Sequence, residues 1–129
     1  MSSNLKIAKF NYSILPYKIV TDSSLTHDPI VDVTQGSGAL YDLTLDLSTG
    51  INHNYYLKIW LQTASITVGT TPPDFMIEAD QDQIIRMSFP NGIPFTALSA
   101  ALVDSSADNS NSYTTTNNSG TVKIHMVVT

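Results

Sequence analysis

Three carboxylates spaced by two, Glu78, Asp80 and Asp82, come nearest to a chemical site in this 129-residue chain. In extended backbone alternate side chains point the same way, so the three would project together and could coordinate Ca²⁺, with carbonyls and water completing the shell. The stretch lacks the glycine and distal glutamate of an EF-hand loop, and a solvated polar turn accounts for it as well. Two of these carboxylates could also form a glycosidase pair, but that chemistry needs a cleft and nothing in the sequence marks one. His27, His53 and His125 lie far apart, without His-x-His spacing, so a transition metal would have to draw its ligands from three separate loops. Gly36-Ser37-Gly38 lacks the Gly-x-Ser-x-Gly of a nucleophile elbow and fits neither glycine pattern for binding phosphates. With no cysteine there is no thiolate ligand, thiol nucleophile or disulfide. The expectation is a chain that is no enzyme, with no catalytic residue and no cofactor, and no metal beyond the calcium candidate.

Binding chemistry has better candidates. The run Tyr55 to Gln62 is apolar on both faces: Tyr55, Leu57, Ile59 and Leu61 alternate with Tyr56, Lys58, Trp60 and Gln62. A strand of that kind is either central in a two-sided core or buried in a subunit contact. Tyr56 and Trp60 are therefore the expected interface residues, to be covered by another part of the domain or by a neighbouring subunit. A flat aromatic platform for sugar rings is the other use of such residues. His53 and Asn54, in the connection just before this run, are placed for a loop contact.

The elements that must position these residues are strands. Tyr41, Leu43, Leu45 and Leu47 share one face and Asp42, Thr44 and Asp46 the other, the period-2 pattern of a half-buried strand. Joined through STGINHN to the Tyr55 run, the stretch Ala39 to Thr63 reads as a β-hairpin. Residues 5–15 read as one strand ended by Pro16, followed by short strands at 17–21 and 30–33. After the Tyr55 run come strands at 64–68, 75–79 and 83–89, the last bounded by the turn signal Pro90-Asn91-Gly92-Ile93-Pro94. Thr96 to Val103, TALSAALV, is the one plausible helix, capped by Thr96, although a buried strand would also tolerate that run. A polar loop, Asp104 to Ser112, leads to a short strand at 113–116 and then to Val122 to Val128, whose apolar residues alternate cleanly. Seven to nine strands with turns every 8 to 12 residues indicate an antiparallel β-sandwich over residues 1–129, jelly-roll or immunoglobulin-like, with at most one short helix near 96–103.

Charged residues are only 13% of the chain, so its solvation falls to fifteen Ser, fifteen Thr and nine Asn. A net charge of −5 with scattered lysines disfavours nucleic acid and anionic membrane as partners. The N-terminus lacks the apolar core of a signal peptide, which implies synthesis in the cytoplasm and makes the Asn11 and Asn117 sequons accidents of composition.

A cysteine-free, Thr/Ser/Asn-rich β domain with few charges, exemplified by YDLTLDLSTG and the terminal SGTVKIHMVVT, resembles small bacteriophage virion proteins. The resemblance covers the whole chain in composition and strand pattern. It implies a capsid-decoration, head-fibre or tail-associated role in the virion, with major capsid or other virion proteins as partners and homo-oligomeric contacts in place of catalysis. The expected function is thus a non-catalytic structural protein that decorates or cements a repeating protein surface. The alternative is a carbohydrate- or receptor-binding module using the loops around 51–54 and 104–112.

Overall fold

The structure, a computed structural model, describes residues 4–9 and 16–129. Its eight strands are β1 (Leu5–Lys9), β2 (Lys18–Leu25), β3 (Gly38–Asp46), β4 (Tyr55–Trp60), β5 (Phe75–Ala79), β6 (Ile84–Phe95), β7 (Ser99–Val103) and β8 (Val122–Val128). All pair antiparallel, in a large sheet of order β1-β2-β8-β3-β6 and a small sheet of order β5-β4-β7. The described residues contain no helix. This is the expected β-sandwich: alternation puts Leu43 and Leu45 of β3 and Ile124, Met126 and Val128 of β8 on the inner face of the large sheet. There they join Tyr55, Leu57 and Ile59 of the small sheet in one core.

The stretch expected to be a hairpin is not one. β3 pairs with β6 and β8, and β4 pairs with β5 and β7, so the two strands lie in opposite sheets. Alternation identifies which side chains share a face but not which strand lies alongside, and two inward-facing apolar rows satisfy burial equally well across the core. The intervening residues 48–54 carry the chain over the roughly 10 Å between packed sheets. At Gly120 this connection meets the 104–121 loop so closely that a Cβ would stand 2.0 Å from the Thr49 carbonyl oxygen.

The helix at 96–103 is likewise replaced by β7. Every residue of Ser99–Val103 is buried, between β4 and residues 26–33, which run along its outer edge. Ile30 and Ala100 exchange backbone hydrogen bonds of 2.9 Å, and the Val33 N–H donates to Leu98. The expected strand at 30–33 is reduced to this bridge, and those at 64–68 and 113–116 are irregular chain. Pro90-Asn91-Gly92 makes a bulge within β6 where a chain reversal was expected. Leu40 pairs with Ile93 and Asp42 with Ser88, leaving Tyr41 opposite the four residues 89–92, with Gly92 at φ +73°. As an edge strand, β6 tolerates the prolines. The Asp22-Ser23-Ser24 cluster is also a bulge, inside β2. Of the strand expected over 5–15, residues 5–9 form β1; residues 10–15, with the Asn11 sequon, lie outside the described residues.

Candidate functional site

Residues that alternate outward from the large sheet are brought into rows by its register. Lys6 is opposite Thr21, Thr21 opposite His125, His125 opposite Thr44 and Thr44 opposite Arg86, a single row across all five strands. At about 4.8 Å per strand its ends are roughly 19 Å apart. In the adjacent row Lys123 is opposite Asp46, and Asp46 opposite Ile84. Lys6, Arg86, Lys123 and His125 are exposed, and Ile84 is the most exposed large apolar side chain described, at 56%.

The two rows meet over a depression of about 380 Å³ lined by Lys6, Thr21, Ser23, Thr44, Lys123 and His125, with Asp46 on its rim. The Asp46 carboxylate accepts hydrogen bonds from the Ser48 hydroxyl at 2.6 Å and its N–H at 2.8 Å. Those bonds, with the Lys123 charge, hold its pKa below the usual carboxylate range despite some desolvation, so it stays ionised beside Lys123. Asp22, which also lines the depression although its side chain is fully buried, accepts the Ser24 N–H at 2.8 Å with one oxygen, and its other oxygen has no hydrogen-bond partner.

The basic rows matter because of where the remaining charge lies. The five strands of the large sheet hold five bases and three acids, +2, while all other residues hold one base and eight acids, −7. The single base in that remainder is Lys58, which is fully buried. Of the five strand bases only Lys6, Arg86 and Lys123 fall on the outward phase, together with Asp42 and Asp46, so the outer face is +1 and the rest of the chain −6. The exposed ammonium, guanidinium and imidazole groups of that face, flanked by hydroxyls, suit recognition of acidic side chains.

The residues singled out in the sequence are placed elsewhere. Trp60 is 1% exposed and its indole N–H donates to the Thr71 carbonyl at 3.1 Å. On the same face of β4, Lys58 Nζ donates to the carbonyls of Asp108 at 3.0 Å and Ser110 at 2.8 Å, and Tyr56 is half-buried. The domain's own loops, 66–73 and 104–112, thus cover this face. Burial lowers the pKa of the Lys58 ammonium, although the nearby Asp108 opposes the shift. His53 Nε2 hydrogen-bonds the Thr116 carbonyl and Asn54 Oδ1 accepts the Gln81 N–H at 2.9 Å, so both tie neighbouring loops together.

Glu78 lies on β5, Asp80 opens a turn and Asp82 sits at φ +63°. Among the described residues no group of three His, Cys, Asp or Glu side chains is placed to hold a metal ion. His125 belongs to the basic row, and His27 stacks on Tyr113 with ring centroids 5.0 Å apart.

Tyr113 in turn stacks on Tyr55 at 5.4 Å, and the Tyr55 hydroxyl donates to the Thr114 carbonyl while accepting from Asn118 Nδ2 at 2.9 Å. Burial raises the pKa of both phenols, that of Tyr113 to about 12 with the neighbouring Tyr55 adding to the effect. At the foot of the same loop, desolvation would raise Asp104, but hydrogen bonds from Ser112 and Thr114 outweigh it and leave the group lowered. The column is therefore a loop anchor.

The sequence did contain a signal for the basic face. Lys6, Thr21, Thr44, Arg86 and His125 each fall on the polar phase of an alternating run, but only strand order makes them neighbours. Comparison with protein-family models, curated proteins and solved structures finds no match for the chain.

Proposed function

We propose that this chain is a non-catalytic structural protein that docks through the outer face of its large sheet onto a repeating protein surface, in the setting of a virion. The observation that carries the reading is the charge separation: +1 on the outer face of the large sheet, from Lys6, Arg86 and Lys123 against Asp42 and Asp46, and −6 elsewhere, with Ile84 exposed beside the basic rows. Charge complementarity selects and orients a partner, and the apolar contact at the β6 edge of the face adds affinity. The neutral polar composition, similar to that of phage virion proteins, supplies the setting, and a repeating surface compensates for weak single contacts by engaging many copies. A sugar platform has less support, because Trp60, the ring it would use, is inside the domain.

The test is density-gradient banding of particles assembled with wild-type chain or with the Lys6→Glu/Lys123→Glu variant. Both substituted residues are exposed, so the variant should keep its fold, checked by its thermal transition. Wild type should band with particles and the variant should remain at the top of the gradient. Wild-type chain found only as free protein, or equal occupancy by the variant, would overturn the reading.

A further inference from the structure

The basic face has a complement on the same chain. Glu78 is exposed on β5, the outer strand of the small sheet, and Asp80 and Asp82 follow, exposed, in the turn that leads into β6. The turn is pre-ordered: the Asp80 N–H donates to Gln83 Oε1 at 3.2 Å, the Gln83 N–H donates to the Asp80 carbonyl at 3.3 Å, and Asn54 holds the Gln81 N–H. Glu78 and Asp80 are two residues apart on extended chain, about 7 Å, and so are Lys123 and His125 on β8. The depression lies over β1, β2, β8 and β3, whereas the acidic turn bridges the far edges β5 and β6. Asp46 is the chain's own carboxylate beside Lys123, but the Glu78–Asp82 edge lies away from the depression.

We infer that the occupant of the basic face is a second copy of this chain, seated through its Glu78–Asp82 edge in a head-to-tail contact. The inference rests on the docking reading only in using the same face, so on any one molecule the second copy and the particle surface exclude one another, and self-association is the state of the chain away from particles. Two different patches meet in such a contact, so it does not close on itself as a two-fold dimer but repeats, giving a ring or a filament. Each exposed ion pair contributes little alone, so the association is concentration-dependent and salt-sensitive.

Sedimentation velocity of the full chain tests this with two variants, Lys6→Gln/Lys123→Gln, which neutralises the basic patch, and Glu78→Gln/Asp80→Asn, which neutralises the acidic one. Wild type should form species larger than dimer at low salt and dissociate at least about tenfold more readily when salt is raised from roughly 0.05 M to 0.5 M. Each variant alone should be monomeric with an unchanged thermal transition. An equimolar mixture should stop at the dimer, because one variant keeps only the acidic edge and the other only the basic face. A wild type that stays monomeric throughout, a single-patch variant that still oligomerises, or a mixture that grows beyond dimers would refute the inference. Loss of particle binding by Lys6→Glu/Lys123→Glu alongside a monomeric wild type would refute self-association and leave the docking reading standing. Self-association without particle binding would do the reverse.

Discussion

Replacing Tyr113 by phenylalanine should leave stability near neutral pH almost unchanged while removing part of the loss that the wild type suffers between about pH 10 and about pH 12. Phenylalanine keeps the ring stacked between His27 and Tyr55, and the hydroxyl it lacks makes only a 3.5 Å contact with the Leu25 carbonyl. Removing so long a contact costs well under about 1 kcal/mol. The alkaline effect follows from the phenol being pushed up to about 12 in the folded chain, first by burial and then by the neighbouring Tyr55, against an ordinary value of 10.0.

A folded-state value raised above the unfolded one means that the folded chain holds the proton more tightly. The associated stability is complete below pH 10 and drains away as pH climbs through the folded value. Two units correspond to roughly 2.7 kcal/mol for a fully shielded group; the ring is only half-buried, so solvent screening brings this to about 1–1.5 kcal/mol. Tyr55 works in the same direction and Lys58 in the opposite one, since its depressed value makes stability rise as pH approaches 10.5. Both are common to the two proteins and cancel in the difference. Urea titrations from about pH 8 to about pH 12, read through the emission of the chain's one tryptophan, give the difference directly. Parallel loss of stability in wild type and Tyr113→Phe over this range would refute the argument that the column shields this phenol.

Two further perturbations test the loops over the small sheet. Trp60→Ala should cost about 3–5 kcal/mol in urea or thermal unfolding, because it empties a fully enclosed site and strands the Thr71 carbonyl; a loss under about 1 kcal/mol would mean that the ring is not enclosed as described. Lys58→Met keeps the stem of the side chain but deletes both hydrogen bonds to the 104–112 loop, and amide hydrogen exchange there should quicken about tenfold or more while β3 and β8 stay protected. Unchanged exchange in the loop would show that Lys58 is not what holds it.

Strand positions were legible wherever one face is buried and the other wet. β8, with Val122, Ile124, Met126 and Val128 inside and Lys123 and His125 outside, is the clearest case, and its place inside the large sheet follows from its strength. β7 was illegible for the opposite reason. Ser99–Val103 is buried throughout, so no alternation survives, and its alanines and leucines suit a helix by intrinsic preference. Only tertiary context, β4 on one side and the Ile30 bridge on the other, makes it a strand. The supposed hairpin failed on partnership, which period 2 does not encode. The asymmetry between acidic Asp42 and Asp46 outside β3 and aromatic Tyr56 and Trp60 outside β4 was the available hint that the two strands face different surroundings.

The same asymmetry decides which face of the domain is free to bind. The polar segment from Asp104 to Gly120 has the composition of a solvated loop, yet it supplies the carbonyls that hold Lys58, the ring that stacks on Tyr55 and the backbone that meets Gly50 and His53. It is spent on closing the outside of a three-stranded sheet whose central strand is apolar on both faces. The large sheet needs no such cover, because threonines, lysines, an arginine and a histidine already make its outer face compatible with water. Leaving that face open is thus inexpensive for the monomer, and its basic character sets it apart from the acidic remainder of the molecule. Aromatic content pointed to β4 as the interface, whereas closure of β4 by its own loops moves the argument to charge on the opposite sheet. On the docking reading proposed above, the contact is made by ion pairs that strengthen as salt falls, not by an aromatic anchor.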